Sequence, residues 1–237
     1  MRFFLLSYLI LASANTFAAT SIKVAVASNF KPTLEALRPL WQSQSPYPLV
    51  ISGGASGVFT QQILSGAPFD VFLSADMDYP QRIFQKLDTA EPFIYAEGQL
   101  MLACHRPFAS ATEALKTSPR LAVANTKTAP YGRAARMWLQ QFSIQAQPVQ
   151  STSVAGALHT VVTGNVTCGL VAASFAHIAP QLHWHPIDAS PSLPQAGVLL
   201  STSDTTQAFM QFLLSEPAQT IIRNNGYTSP PSKAAQP

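Results

Sequence analysis

Charge is scarce in this chain. Of 237 residues only 11% are Asp, Glu, Lys or Arg, and the formal balance is +3. A chain so poor in charge is neither a solvated disordered polymer nor a helical rod laced with ion pairs. It has no basic run and no interleaving of basic with aromatic residues. That removes the clustered cationic face on which nucleic-acid binding depends. Past the N-terminus no apolar run reaches the roughly 18 residues of a membrane span, and no fixed-period repeat suggests a solenoid. Catalytic signatures are missing too: there is no HExxH, no CxxC and no Walker loop. The segment Gly54-Ala55-Ser56-Gly57-Val58 misses the nucleophile elbow, because Val58 stands where its second glycine belongs.

What remains is an ordinary apolar fraction of 47%, enough for a real core in one large or two small domains. The first residues read as an export address. Arg2 supplies the positive end, Phe3 to Ala12 the apolar stretch, and Thr16-Phe17-Ala18 the small residues before a cut after Ala18. The run is too short to span a bilayer and lacks basic stop-transfer flanks. The only cysteines, Cys104 and Cys168, each lie in an apolar, strand-like run. They read equally as a disulfide formed in an oxidising compartment and as two buried thiols of one sheet.

From there strands and helices alternate. Ile22–Ala27, Leu49–Ser52 and Asp70–Ser74 are short buried strands, each followed by a helical pattern. Three such units in a row give an α/β domain with a parallel sheet. Phe93–Cys104 is longer than one ordinary strand and carries Gly98 at its centre, which suits a segment leaving one sheet for another. A second set follows: a strand at Leu121–Ala124, helices at Tyr131–Phe142 and Ser153–Val162, and a strand at Cys168–Ala173. Pro191–Pro194 precedes Val198–Leu200, a candidate return crossing, and the end is helical. The chain therefore reads as two α/β lobes joined by two extended crossings, with a cleft between them suited to a small ligand.

Four places open a helix with small or hydroxyl residues: Ser28-Asn29, Ala55-Ser56-Gly57, Pro130-Tyr131-Gly132 and Ser153-Val154. A helix start exposes unpaired N–H groups and about half a positive charge, so several converging starts bind an anion without Lys or Arg. Taken singly, Ser28, Asn29, Ser56 and Ser153 read better as plain caps. Asp76 and Asp78, two residues apart, also read as caps. His183-Trp184-His185 would place two imidazoles on one face of a strand, but no third metal ligand is evident and a surface loop before Pro186 is the preferred reading.

The ordered stretches VAVASNF (Val24–Phe30), GGASGVFTQQILSGAPFDVFLSAD (Gly53–Asp76), ANTKTAPYGRAA (Ala124–Ala135), SVAGALHTVVTGNVTCGLVAAS (Ser153–Ser174) and FMQFLLSEPAQTIIRNNGY (Phe209–Tyr227) resemble the periplasmic molybdate-binding proteins that feed an ABC importer. These are a branch of the type II solute-binding proteins. The resemblance implies a two-lobed type II fold, each lobe a mainly parallel sheet flanked by helices and joined to the other by two crossover strands. It implies a signal peptide at 1–18, one lobe from 19–98 and 199–237, and the other from 99–198.

Carried over position by position, it puts oxyanion contacts on Ser28, Asn29, Ser56, Tyr131 and the backbone N–H of Val154. Many members carry a tyrosine where this chain has Ala172, so Tyr131 would supply that hydroxyl. Gly57 stands where some members have a second serine. The implied protein is a soluble periplasmic monomer that binds molybdate or tungstate and serves an inner-membrane permease. It has no catalytic residues and no cofactor, and molybdenum enters only as the oxyanion. The competing readings are a receptor for sulfate or a phosphorus oxyanion, a ligand-sensing domain that transports nothing, and a secreted hydrolase built on Ser56 with His159.

Overall fold

The computed structural model describes residues 21–230, so the export signal at 1–18 and the last residues of the tail lie outside the described residues. β1 (Ile22–Ala27) pairs in parallel with β2 (Leu49–Gly54) on one side and β3 (Val71–Leu73) on the other. The three residues of β3 are all buried, as expected for a strand covered on both faces. α1 (Lys31–Gln44) brings Leu34, Leu37 and Trp41 onto one face of this sheet. There they meet Phe209 and Phe212 of α7 (Asp204–Leu214) and Ile222 of α8 (Glu216–Asn224). On the other face Phe59 and Ile63 of α2 (Ser56–Leu64) pack with Phe72 and with Ile83 of α3 (Asp78–Phe84).

β4 (Phe93–Cys104) belongs to two sheets. Its first part, Phe93–Gln99, runs antiparallel to β9 (Ser192–Leu199), with a register shift between Ile94 and Ala96. Its second part, Leu100–Cys104, runs antiparallel to β7 (Cys168–Ala172). β7 then pairs in parallel with β5 (Arg120–Ala124), and β5 with β6 (Gln147–Ser151). The path β2-β1-β3-β9-β4-β7-β5-β6 is therefore parallel within each lobe and antiparallel where β9 and β4 join them. α5 (Pro130–Gln141) and α6 (Val154–Val162) follow β5 and β6 and bury Tyr131, Trp138, Val154 and Leu158 in the second lobe's core. α4 (Ala111–Thr117), whose Ser110 cap accepts from the Glu113 N–H at 3.2 Å, completes that lobe.

Three expectations change. His183–Pro186 is not a loop but a strand, β8, laid antiparallel along β4 and anchored by the Trp184 Nε1–H donating to the Ala179 carbonyl at 3.1 Å. An open sheet edge gives even a short polar segment its hydrogen bonds, which the sequence pattern does not announce. β9 starts at Ser192 rather than after Pro194: Pro194, third in the strand, opposes Glu97, whose N–H and carbonyl bond Thr228 instead, so the missing N–H leaves no gap there. β6 and α4 are additions to the sequence reading. β6 is an edge strand with Pro148, so its pattern is polar and irregular.

The cysteines are settled as well. Cys104 and Cys168 face each other across β4 and β7 and are joined by a disulfide. After α8 the chain does not fray at once: Tyr227 is buried, and Thr228 exchanges two 2.9 Å backbone hydrogen bonds with Glu97.

Candidate functional site

Each of the four helix starts follows the C-terminal end of a parallel strand: β1, β2, β5 and β6. Strand ends at the junction of two α/β units leave a crevice. Here the two lobes bring all four ends to one small, nearly closed cavity. Ser28, Asn29, Ser56, Tyr131 and Val154 all line it, with alanines, a glycine and a proline between them. None of its eleven lining residues is charged. Roomier surface clefts exist, such as one beside Trp41 and Phe212, but none contains an unpartnered buried hydroxyl among the described residues.

The plain-cap reading holds for Ser153 and fails for the others. Ser153 is the N-cap of α6, its Oγ accepting from the Gly156 N–H at 3.2 Å. Ser28 caps nothing on its own helix, since α1 starts from Phe30 with no side-chain cap. Its N–H donates to the Gly54 carbonyl at 2.8 Å, and its Oγ accepts from the Ala155 N–H of the other lobe at 3.3 Å. Ser56, buried at the first position of α2, accepts at Oγ from the Ala75 N–H at 3.1 Å, so its hydroxyl proton stays free to donate. The backbone N–H of Val154 has no acceptor among the described residues, nor do those of Asn29, Ser56 and Tyr131.

Asn29 differs from its sequence reading in how it faces the cavity. Both hydrogens of its side-chain amide are taken inside the protein, by Gln195 Oε1 at 2.7 Å and Tyr227 Oη at 2.9 Å. What it can offer a ligand is its backbone N–H. Gln195, fully buried in β9, is locked in turn by Leu193 and Ala75 carbonyls at 2.7 and 3.3 Å. Sequence reasoning missed Gln195 and Tyr227; a glutamine inside an apolar strand run was the available signal.

Tyr131 is 1% exposed and its hydroxyl has no hydrogen-bond partner. Burial, with Tyr227 and Glu97 nearby, pushes its pKa well above the ordinary phenol value, so it stands in the cavity as a neutral donor. Gly57 is dictated by packing. Its N–H donates to the Thr128 carbonyl at 2.8 Å, and a Cβ there would sit 2.5 Å from Tyr79 Oη. A serine cannot enter that space. Asp76 keeps its capping role, accepting from the Tyr79 N–H at 3.3 Å. His159 is exposed on α6, and the partner of Ser56 Oγ is an amide, so no base is brought to that serine. Among the described residues no group of three or more His, Cys, Asp or Glu could hold a metal ion, and no helix is long and apolar enough to cross a membrane.

The arrangement gathers neutral donors at positive helix ends. Comparison with known proteins places the chain in a family. The sequence pattern of the family described as bacterial extracellular solute-binding protein matches residues 22–228. The molybdate-binding protein ModA of Azotobacter vinelandii is 31% identical over 227 residues, covering 88% of this chain and 90% of that protein. ModA of Rhodobacter capsulatus is 31% identical over 241 residues, with 93% of each covered. The solved periplasmic molybdate-binding protein of Azotobacter vinelandii superposes with a TM-score of 0.80 at 28% identity, covering 89% of this chain and all of that one. This chain therefore belongs to the bacterial extracellular solute-binding proteins, and within them to the ModA type.

Proposed function

We propose that this protein captures molybdate, and tungstate with it, in the inter-lobe cavity and delivers it as a periplasmic monomer to the permease of an ABC importer. The observation that carries the reading is the uncharged cavity itself, lined from both lobes by Ser28, Asn29, Ser56, Tyr131 and Val154, with an unpartnered Tyr131 hydroxyl. Drying a dianion is costly, so many donors must meet it together. Hydrogen bonds to an ionised acceptor are about twice as strong as neutral ones. Here the donors are the hydroxyls of Ser28, Ser56 and Tyr131 and the free N–H groups of Asn29, Ser56, Tyr131 and Val154. The starts of α2, α5 and α6 add their dipoles.

Neutral donors also explain selectivity. A cation would attract any anion, whereas a ring of fixed donors rewards the one whose oxygens reach them all. Molybdate and tungstate are nearly equal in size, and sulfate is smaller. Each donor that sulfate leaves unmet in a dry site costs about 1–3 kcal/mol. Closure of the lobes over the ion would then form the surface that a permease reads.

The test is a titration panel on purified protein. Molybdate and tungstate should raise the melting temperature, while sulfate and phosphate at equal concentration should not. An equal response to all four would defeat the size argument and leave a general oxyanion receptor. A neighbouring permease and ATPase in the genome would separate transport from ligand sensing.

A further inference from the structure

The two lobes meet at a second place, outside the cavity. Arg133, one turn into α5, points across to the first lobe, where Asp76, Asp78 and Tyr79 open α3. Its guanidinium pairs with the Asp76 carboxylate and lies 3.8 Å from that of Asp78. It also donates to Tyr79 Oη at 2.9 Å and covers the Tyr79 ring at 4.9 Å. Tyr79 Oη in turn donates back across the gap to the Lys127 carbonyl at 3.2 Å, beside the bond from Gly57 to Thr128. The other ion pairs among the described residues lie within single helices, Glu35 with Arg38 and Glu216 with Arg223. Arg133 therefore makes every ion pair among the described residues that joins the lobes.

We propose that Arg133 and Asp76 form a latch between the lobes that sets how long a ligand is held, without touching it. Neither residue lines the cavity. Both are largely shielded, with side chains 26% and 13% exposed, and burial raises the Asp76 pKa against the pull of Arg133, so either charge left without the other is costly there. The Asp76 carboxylate is already oriented by the Ser74 hydroxyl at 3.0 Å and the Tyr79 N–H at 3.3 Å. Arg133 meets it with a planar fork and stacks on an aromatic face, which lysine cannot reproduce. These contacts exist only when the lobes meet. In a parted form both charges return to water, so removing one partner leaves the other dried and unpaired in the closed form alone and shifts the equilibrium toward opening.

A residue acting this way has a distinct signature: it scales the affinity of every ligand by one factor, whereas a donor in the cavity changes their ratio. The ligand arm of the test rests on the oxyanion reading above, and the shape arm does not. In the R133Q variant, radiolabelled molybdate should leave about tenfold faster into excess unlabelled tungstate, with the association rate within about twofold. The molybdate-to-tungstate affinity ratio should stay at the wild-type value. R133K should fall between the two, and D76N should match R133Q, serving in its place if R133Q does not fold. By small-angle scattering, ligand-free R133Q should have a larger radius of gyration than the wild type. A release rate within twofold of wild type, or a changed affinity ratio, overturns the latch. If the wild-type protein takes up none of the oxyanions, the functional proposal falls. The latch is then decided by scattering alone: a larger radius supports it and an identical radius overturns it.

Discussion

The hydroxyl of Tyr131 occupies the space that a side chain on Gly98 would need. A Cβ built on Gly98 would lie 2.4 Å from Tyr131 Oη and 2.9 Å from Gln195 Nε2. The bare backbone of β4, where the strand passes from one lobe to the other, is thus what admits a tyrosine from the second lobe to the cavity. Gly98→Ala should displace that hydroxyl and weaken molybdate binding by about tenfold or more, while the strand pairing survives. The same change in a Tyr131→Phe background should cost much less, because the group it displaces is already gone. Calorimetric titration of the four proteins closes the cycle, and additive losses would mean that Gly98 acts through something else.

In the proposed site Ser56 has a second duty besides donating to the ion, which makes its substitution more expensive than that of a ligand donor alone. Its Oγ accepts from the Ala75 N–H, so Ser56→Ala strands a buried amide as well as removing a hydroxyl. Stability should fall by about 1–3 kcal/mol and molybdate affinity should fall with it. Urea denaturation measures the first and titration the second. Lost stability with unchanged affinity would reduce Ser56 to a structural tie.

Much of this was legible in the residues. Apolar runs such as Ile22–Ala27 and Asp70–Ser74 announce parallel strands because both faces are covered, and Gly98 in a twelve-residue strand announces the crossing. The four helix starts were visible one by one. What no local pattern could show is that they meet, since convergence is a property of sheet order. Asn29 shows the same limit. Its amide reads as a cap or a ligand donor, yet Gln195 and Tyr227, 166 and 198 residues away, consume it. Arg133 is a third case: nothing on α5 reveals that Asp76, 57 residues earlier, waits opposite. Edge elements such as β8 and β6 escaped because an edge strand is stabilised by its neighbour's free hydrogen bonds more than by its own apolar period.

The disulfide should matter for stability and not for binding. Cys104 and Cys168 close a loop with a sequence separation of 64 and are fully buried, and neither lines the cavity. Chain-entropy arguments assign a closed loop of this size about 4 kcal/mol of stabilisation. Cys104→Ala with Cys168→Ala should therefore unfold at clearly lower urea, with molybdate affinity within about twofold of the parent. An affinity loss larger than that would mean the second lobe's sheet relays strain to the helix starts.

Three buried phenols make the protein sensitive to alkali in a predictable direction. Tyr95, Tyr131 and Tyr227 are each held above the ordinary value of 10.0, in every case chiefly by burial. A group whose pKa is raised on folding contributes its stability fully below the unfolded value and loses it as pH climbs toward the folded one. Below about pH 10 all three keep their protons in both states, so stability owes them no pH dependence and the Tyr131 donor stays intact. Above about pH 10 the unfolded chain releases protons that the folded chain retains, and each phenol then costs about 1.4 kcal/mol per pH unit. Three together should give a fall of about 4 kcal/mol per unit. Urea midpoints taken at half-unit steps from pH 8 upward should be level and then drop steeply. Tyr131→Phe should remove about a third of the slope. A decline that begins below pH 9, or a slope unchanged by that substitution, would show that these hydroxyls reach water in the folded protein.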